Sequence, residues 1–92
     1  MASARIGIIG DFNPDYLYHQ ATNQSIDLTA RRLGIETAYE WIPTDSLDEG
    51  GTAALGRFNG LWASPGSPYR SMLGALEGIR FARERGKPFI GT

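Results

Sequence analysis

The chain contains no cysteine and only one histidine, and no apolar run approaches the length of a membrane span. Without cysteine there is no disulfide, no thiolate metal site and no thiol nucleophile within these residues. His19 alone leaves too few strong ligands for a protein metal site, so neither a metal nor a cofactor is expected. The opening "MASARIG" lacks the charged start and apolar middle of a secretory leader, which makes the cytoplasm the expected address. Neither sign of charge predominates: the formal net charge is −1, and no basic cluster exceeds "ARERGK". No nucleic-acid or membrane partner is therefore expected. The 92 residues, 41% hydrophobic and 21% charged, suit one small soluble globular domain over 1–92 with little reserve of stability.

What is present is an alternation of strand and helix signals. "RIGIIG" (residues 5–10) is a short isoleucine-rich run closed by glycine, as in a strand buried on both faces of a parallel sheet. "DFNPDY" then supplies turn and cap formers, with Pro14 suited to the first turn of a helix. Residues 16–33 are helix-compatible, with Ile26, Ala30 and Leu33 on one stripe and Gly34 placed to end the helix. In "IETAYEWI", Ile35, Thr37, Tyr39 and Trp41 alternate with Glu36 and Glu40, the mark of a strand near a sheet edge. The glycine-rich stretch that follows allows one short helix around 49–55. "GLWAS" (60–64) reads as a third strand. Ser67 and Pro68 suit the N-cap and first position of a helix over 67–85. Met72, Ala75, Leu76, Ile79 and Ala82 form its stripe, Gly74 and Gly78 suit close packing on the sheet, and Gly86 ends it before "KPFIGT", a fourth strand. Such repeats define an α/β protein with a parallel sheet and helices on both faces.

Ligands in such sheets bind beyond the carboxyl ends of the strands. "GIIGDF" is no dinucleotide fingerprint, no phosphate-binding Walker loop occurs, and Ser64 stands where a phosphoryl-accepting domain needs aspartate. The backbone amides at Gly66 and Ser67 precede a helix and suit an anion or a developing oxyanion; the same composition also suits a plain strand-to-helix turn. Asp11, at the end of the first strand, suits either a ligand contact or a cap on the coming helix. His19 suits a ligand contact or a solvated helix position. Trp41 and Trp62 suit core or interface.

Taken together, "RIGIIGDFNPDY…HQATNQSID" and "FNGLWASPGSPYRSMLGALEGIRFARERGKPFIGT" resemble the amino-terminal half of a class I glutamine amidotransferase domain, of the CTP synthase-related type. The resemblance spans nearly the whole chain and is most specific over 58–92. It implies a three-layer, flavodoxin-like parallel sheet in the order 2-1-3-4. It also implies that the turn after the third strand, Gly66 and Ser67 here, lends amides to an oxyanion hole. In that family this turn reads Pro-Gly-Gly, so Ser67 matches its second glycine by backbone position only. "PFIGT" corresponds to the strand that runs into the nucleophile elbow, and the family's cysteine would be the next residue. Its histidine and glutamate partners lie further along.

The resemblance thus implies part of a glutamine amidotransferase that supplies ammonia to pyrimidine nucleotide synthesis, with glutamine as substrate. The alternative is a non-catalytic α/β module that binds a ligand or partner. Either way these residues lack the nucleophile, its base and the base's orienter, so the chain alone is expected to be inactive. The strand "PFIGT" is expected to lie at an edge and to recruit a second copy of the chain as a homo-oligomer.

Overall fold

The computed structural model describes residues 3–48, 50–64 and 69–91. Its strands are β1 (Ser3–Ile9), β2 (Glu36–Ile42), β3 (Gly60–Ala63) and β4 (Phe89–Gly91), and its helices are α1 (Leu17–Leu33) and α2 (Met72–Arg85). The four strands form one parallel sheet in the order β2-β1-β3-β4. This is the expected architecture, with β2 and β4 at the edges. Ile8 pairs in register with Trp41 of β2 and Trp62 of β3, and Ile9 with Ile42 and Ala63. Ile8 and Ile9 are both wholly buried, as a strand covered on two faces requires.

The helices lie on opposite faces. Ile9 meets α2, whereas Ala4, Ile6 and Trp62 line a groove beside Ile26 and Ala30 of α1. The α2 face holds the main apolar cluster, in which Ile9, Ile42, Leu47, Leu55, Phe58 and Leu61 surround Phe81 and Ala82. Each helix ends as its sequence indicates: Gly34 and Gly86 take left-handed angles and return their N–H groups to the last turns.

Four details differ from the sequence expectation. The first helix begins at Leu17, after Pro14 has been used in a preceding turn, and its Leu33 is exposed. The single helix expected around 49–55 is replaced by two 3-10 segments, Thr44–Leu47 and Gly51–Arg57. The second long helix starts at Met72, capped by the Ser71 hydroxyl, which accepts the Gly74 N–H at 2.9 Å. The expected cap, Ser67 with Pro68, lies outside the described residues. The stripe of α2 is also rotated: Met72 and Leu76 are 55% and 54% exposed, and the buried face is Gly74, Ala75, Gly78, Phe81 and Ala82.

The glycines explain that rotation. A Cβ on Gly78 would lie 2.7 Å from Ile9 Cδ1, and one on Gly74 would collide with the Thr44 carbonyl. With no side chain at either position, α2 presses directly on β1 and on the Thr44–Leu47 turn, as expected for this glycine pair. Larger residues on the neighbouring stripe are left outward.

Candidate functional site

The carboxyl ends of β1, β2 and β3 converge on Asp11, Thr44 and Ser64. Asp11 Oδ1 accepts the Thr44 N–H at 2.9 Å, and Oδ2 accepts the Thr44 hydroxyl at 2.9 Å and the Arg70 N–H at 2.8 Å. Thr44 Oγ1 in turn accepts the Ser71 N–H at 2.9 Å. A single carboxylate thereby ties the end of β1 to the segment after β2 and to the residues that lead into α2. Burial alone would raise the Asp11 pKa. The backbone N–H groups of Arg70 and Thr44, the Thr44 hydroxyl and the Arg70 charge outweigh it and hold the carboxyl below its ordinary value. Tyr69 moves the other way: burial, then the Asp11 charge, raises its phenol above the ordinary value.

Of the two roles open to Asp11, capping the coming helix is not the one taken. The N-cap position of α1 is Tyr16, with no side-chain cap. The carboxylate has turned instead toward the start of α2, where negative charge also favours the helix.

Ser64 closes β3. Its N–H donates to the Ile9 carbonyl at 3.0 Å, and its own carbonyl accepts the Tyr69 hydroxyl at 2.7 Å. Its side chain is 1% exposed, and Oγ has no hydrogen-bond partner among the described residues. Ser64 and Tyr69 bracket residues 65–68. Gly66 and Ser67, assigned to an oxyanion contact by the sequence, lie outside the described residues.

His19 is not solvated. It is 4% exposed, on the first turn of α1, because Phe12, Tyr16 and Trp41 enclose its ring. The His19 and Trp41 ring centroids lie 4.6 Å apart, and those of Phe12 and Trp41 5.0 Å. Nδ1 accepts the Asn13 N–H at 3.0 Å, so the ring fixes the loop between β1 and α1. Trp41 is held by its indole N–H, which donates to Asn23 Oδ1 on α1 at 2.8 Å. The ring pocket and the Asp11 cluster both stand at the carboxyl edge of the sheet, one on each side of the β1 loop.

Sequence reasoning did not single out Thr44, Tyr69 or Ser71. The signal for Thr44 was its place directly after the second strand, in "IPTDS". Nothing local marks Tyr69 or Ser71, whose partners are supplied by other elements. Among the described residues, no group of three or more His, Asp or Glu side chains could hold a metal ion.

No family model matches the sequence. Over 87 residues, 95% of the chain, it is 28% identical to a CTP synthase of Encephalitozoon cuniculi. Over 56 residues, 55% of the chain, it is 39% identical to a CTP synthase of Symbiobacterium thermophilum. The matched parts are only 16% and 10% of those two proteins. Among solved structures, the Trypanosoma brucei CTPS glutaminase domain with bound acivicin superimposes with a TM-score of 0.83 at 18% identity, covering 96% of this chain and 35% of that one. The chain therefore shares the fold of the matched part of that glutaminase domain. In sequence, the chain is similar to parts of two CTP synthases.

Proposed function

We propose that the chain forms the amino-terminal part of a CTP synthase-related glutamine amidotransferase domain, which hydrolyses glutamine and delivers ammonia to pyrimidine nucleotide synthesis. Its share is the sheet together with Gly66 and Ser67, to whose backbone amides the resemblance assigns contact with the developing oxyanion of the glutamine carboxamide. The thiolate, its histidine base and the carboxylate that orients the histidine come from outside these 92 residues, which hold no cysteine. His19 and Asp11 stand at the glutamine-binding edge. The cytoplasm is the proposed location, with a second copy of the chain on the β4 edge. No helix among the described residues is long and apolar enough to cross a membrane.

The observation that carries this reading is the fold match over 96% of the chain, joined to CTP synthase matches in sequence. It is tested by a chimaera in which residues 3–91 replace the matched part of a CTP synthase glutaminase domain. Ammonia release from glutamine is expected to persist, while the isolated chain releases none. A folded chimaera without activity would instead favour the second reading, a non-catalytic binding module.

A further inference from the structure

The two outer strands of the sheet carry charge differently. On β2, Glu36 and Glu40 are exposed and Glu40 pairs with Arg57 at 2.7 Å, so charge guards that edge. β4 carries none, and among the described residues no strand lies on its far side. The nearest charge in sequence is Lys87, whose ammonium is turned inward: Nζ donates to the Phe58 carbonyl at 2.7 Å and to the Gly56 carbonyl at 3.1 Å. The two faces differ as well. Around α2, Leu47, Leu55 and Phe58 are almost wholly buried and close one face. On the other, α1 is fastened to β2 by the Trp41–Asn23 bond and leaves a groove of about 430 Å³ beside β3 and β4. The register sets Ile90 beside Trp62 in that groove, and Leu33, which ends α1 and is 66% exposed, lines it too. No charged side chain among the described residues lines it.

We propose that this groove, with the free edge of β4 beside it, is an interface between two copies of the chain, packed face to face about a two-fold axis so that the Leu33 and Ile90 side chains of each copy are covered by the other. This rests on the self-association proposed above and adds the face that is buried. An uncharged groove offers nothing to an acidic or basic partner, whereas it meets a copy of itself without stranding a charge. A formal net charge of −1 puts little repulsion between the copies. The unpaired backbone groups of β4 favour a polypeptide over a small apolar ligand, which could not satisfy them. With Lys87 held by two carbonyls, the strand also lacks the lysine guard that edge strands commonly carry.

The test is sedimentation equilibrium of the full 92-residue chain from about 1 to about 100 μM. The mass is expected to rise to that of two chains, and Leu33→Lys and Ile90→Lys each to raise the dissociation constant at least about tenfold. Leu73→Lys, at an exposed position of α2, is expected to leave it unchanged. Leu33 is the deciding position, because it lies on α1 rather than on the edge strand. Loss of pairing with Ile90→Lys but not with Leu33→Lys would overturn the proposal in favour of edge pairing alone, and loss with Leu73→Lys in favour of the α2 side. In the unsubstituted chain, the amide resonances of Leu33, Trp62 and Ile90 should shift on dilution while those of Leu73 and Leu76 hold. The reverse pattern overturns the proposal whether or not any variant folds. A chain monomeric throughout would also overturn it; if dodecyl maltoside below its micelle concentration then shifts the Leu33 and Ile90 resonances, the groove takes an aliphatic ligand instead. None of these readouts involves ammonia release. An inactive chimaera therefore counts against the glutamine reading alone, and a monomeric chain against this interface alone.

Discussion

The two sides of this sheet are finished to different degrees. At the carboxyl edge of β1, β2 and β3, one carboxylate, one threonine and one serine close a network that reaches the cap of α2. Beside β4 the surface is apolar and open. Phe89 and Ile90 are exposed, and a groove of about 430 Å³ runs between α1 and the strands, lined by Ile26, Ala30, Leu33, Trp62, Phe89 and Ile90. Parallel sheets are ordinarily covered on both faces. The Asp11, Thr44 and Ser71 groups of the polar edge thus find partners among the described residues, whereas the β4 side leaves apolar area exposed. The candidate site lies at the finished end.

The largest effect on this contrast should come from the core that supports the finished end. Ile9 is wholly buried beneath Gly78, so Ile9→Ala should cost about 3–4 kcal/mol in urea denaturation. That is a large share of the stability of so small a domain. A loss below about 1 kcal/mol would mean that the β1–α2 contact is not the foundation described here.

Asp11→Ala comes next, at about 1–3 kcal/mol, because it strands the Thr44 and Arg70 N–H groups. Its pH dependence has a definite sign. The folded-state pKa of Asp11 is depressed, so its stabilisation is complete above the unfolded-state value and is lost as pH falls through the folded value. Stability of the unsubstituted chain should therefore fall below about pH 4, and that of Asp11→Asn should fall less steeply over the same range.

The open side is tested by Ile90→Lys. With Ile90 57% exposed, the substitution should leave the denaturation midpoint almost unchanged. It should, however, abolish the self-association we propose for the β4 edge, as read by sedimentation. The smallest effect is expected for Arg80→Ala, whose pairs with Glu84 and Glu77 are solvent-exposed. No change in midpoint should be resolved.

The contrast also marks what could be read from sequence. β1 was legible because consecutive buried isoleucines leave few alternatives, and β2 because its glutamates alternate with Thr37, Tyr39 and Trp41. The glycines of α2 pointed correctly to close packing. The apolar stripe of α2 was misjudged, because Met72 and Leu76 belong to a face that the described residues leave exposed. The helix start was misplaced for another reason. Ser67-Pro68 is a good local signal, but Ser71 is selected by Thr44 and Arg70 is bound by Asp11, from far along the chain. His19 was legible as a residue near the β1 loop but not as a buried one, since Trp41 comes from another strand. Local chemistry set the elements; partners distant in sequence set the site.

Amide hydrogen exchange on the full chain, at concentrations where it is monomeric, tests the central contrast most directly. The account predicts that the Thr44, Arg70 and Ser71 amides exchange as slowly as those of β1, and that the β4 amides exchange at least about tenfold faster. Rapid exchange at Arg70 and Ser71 alongside a well-protected β4 would contradict it.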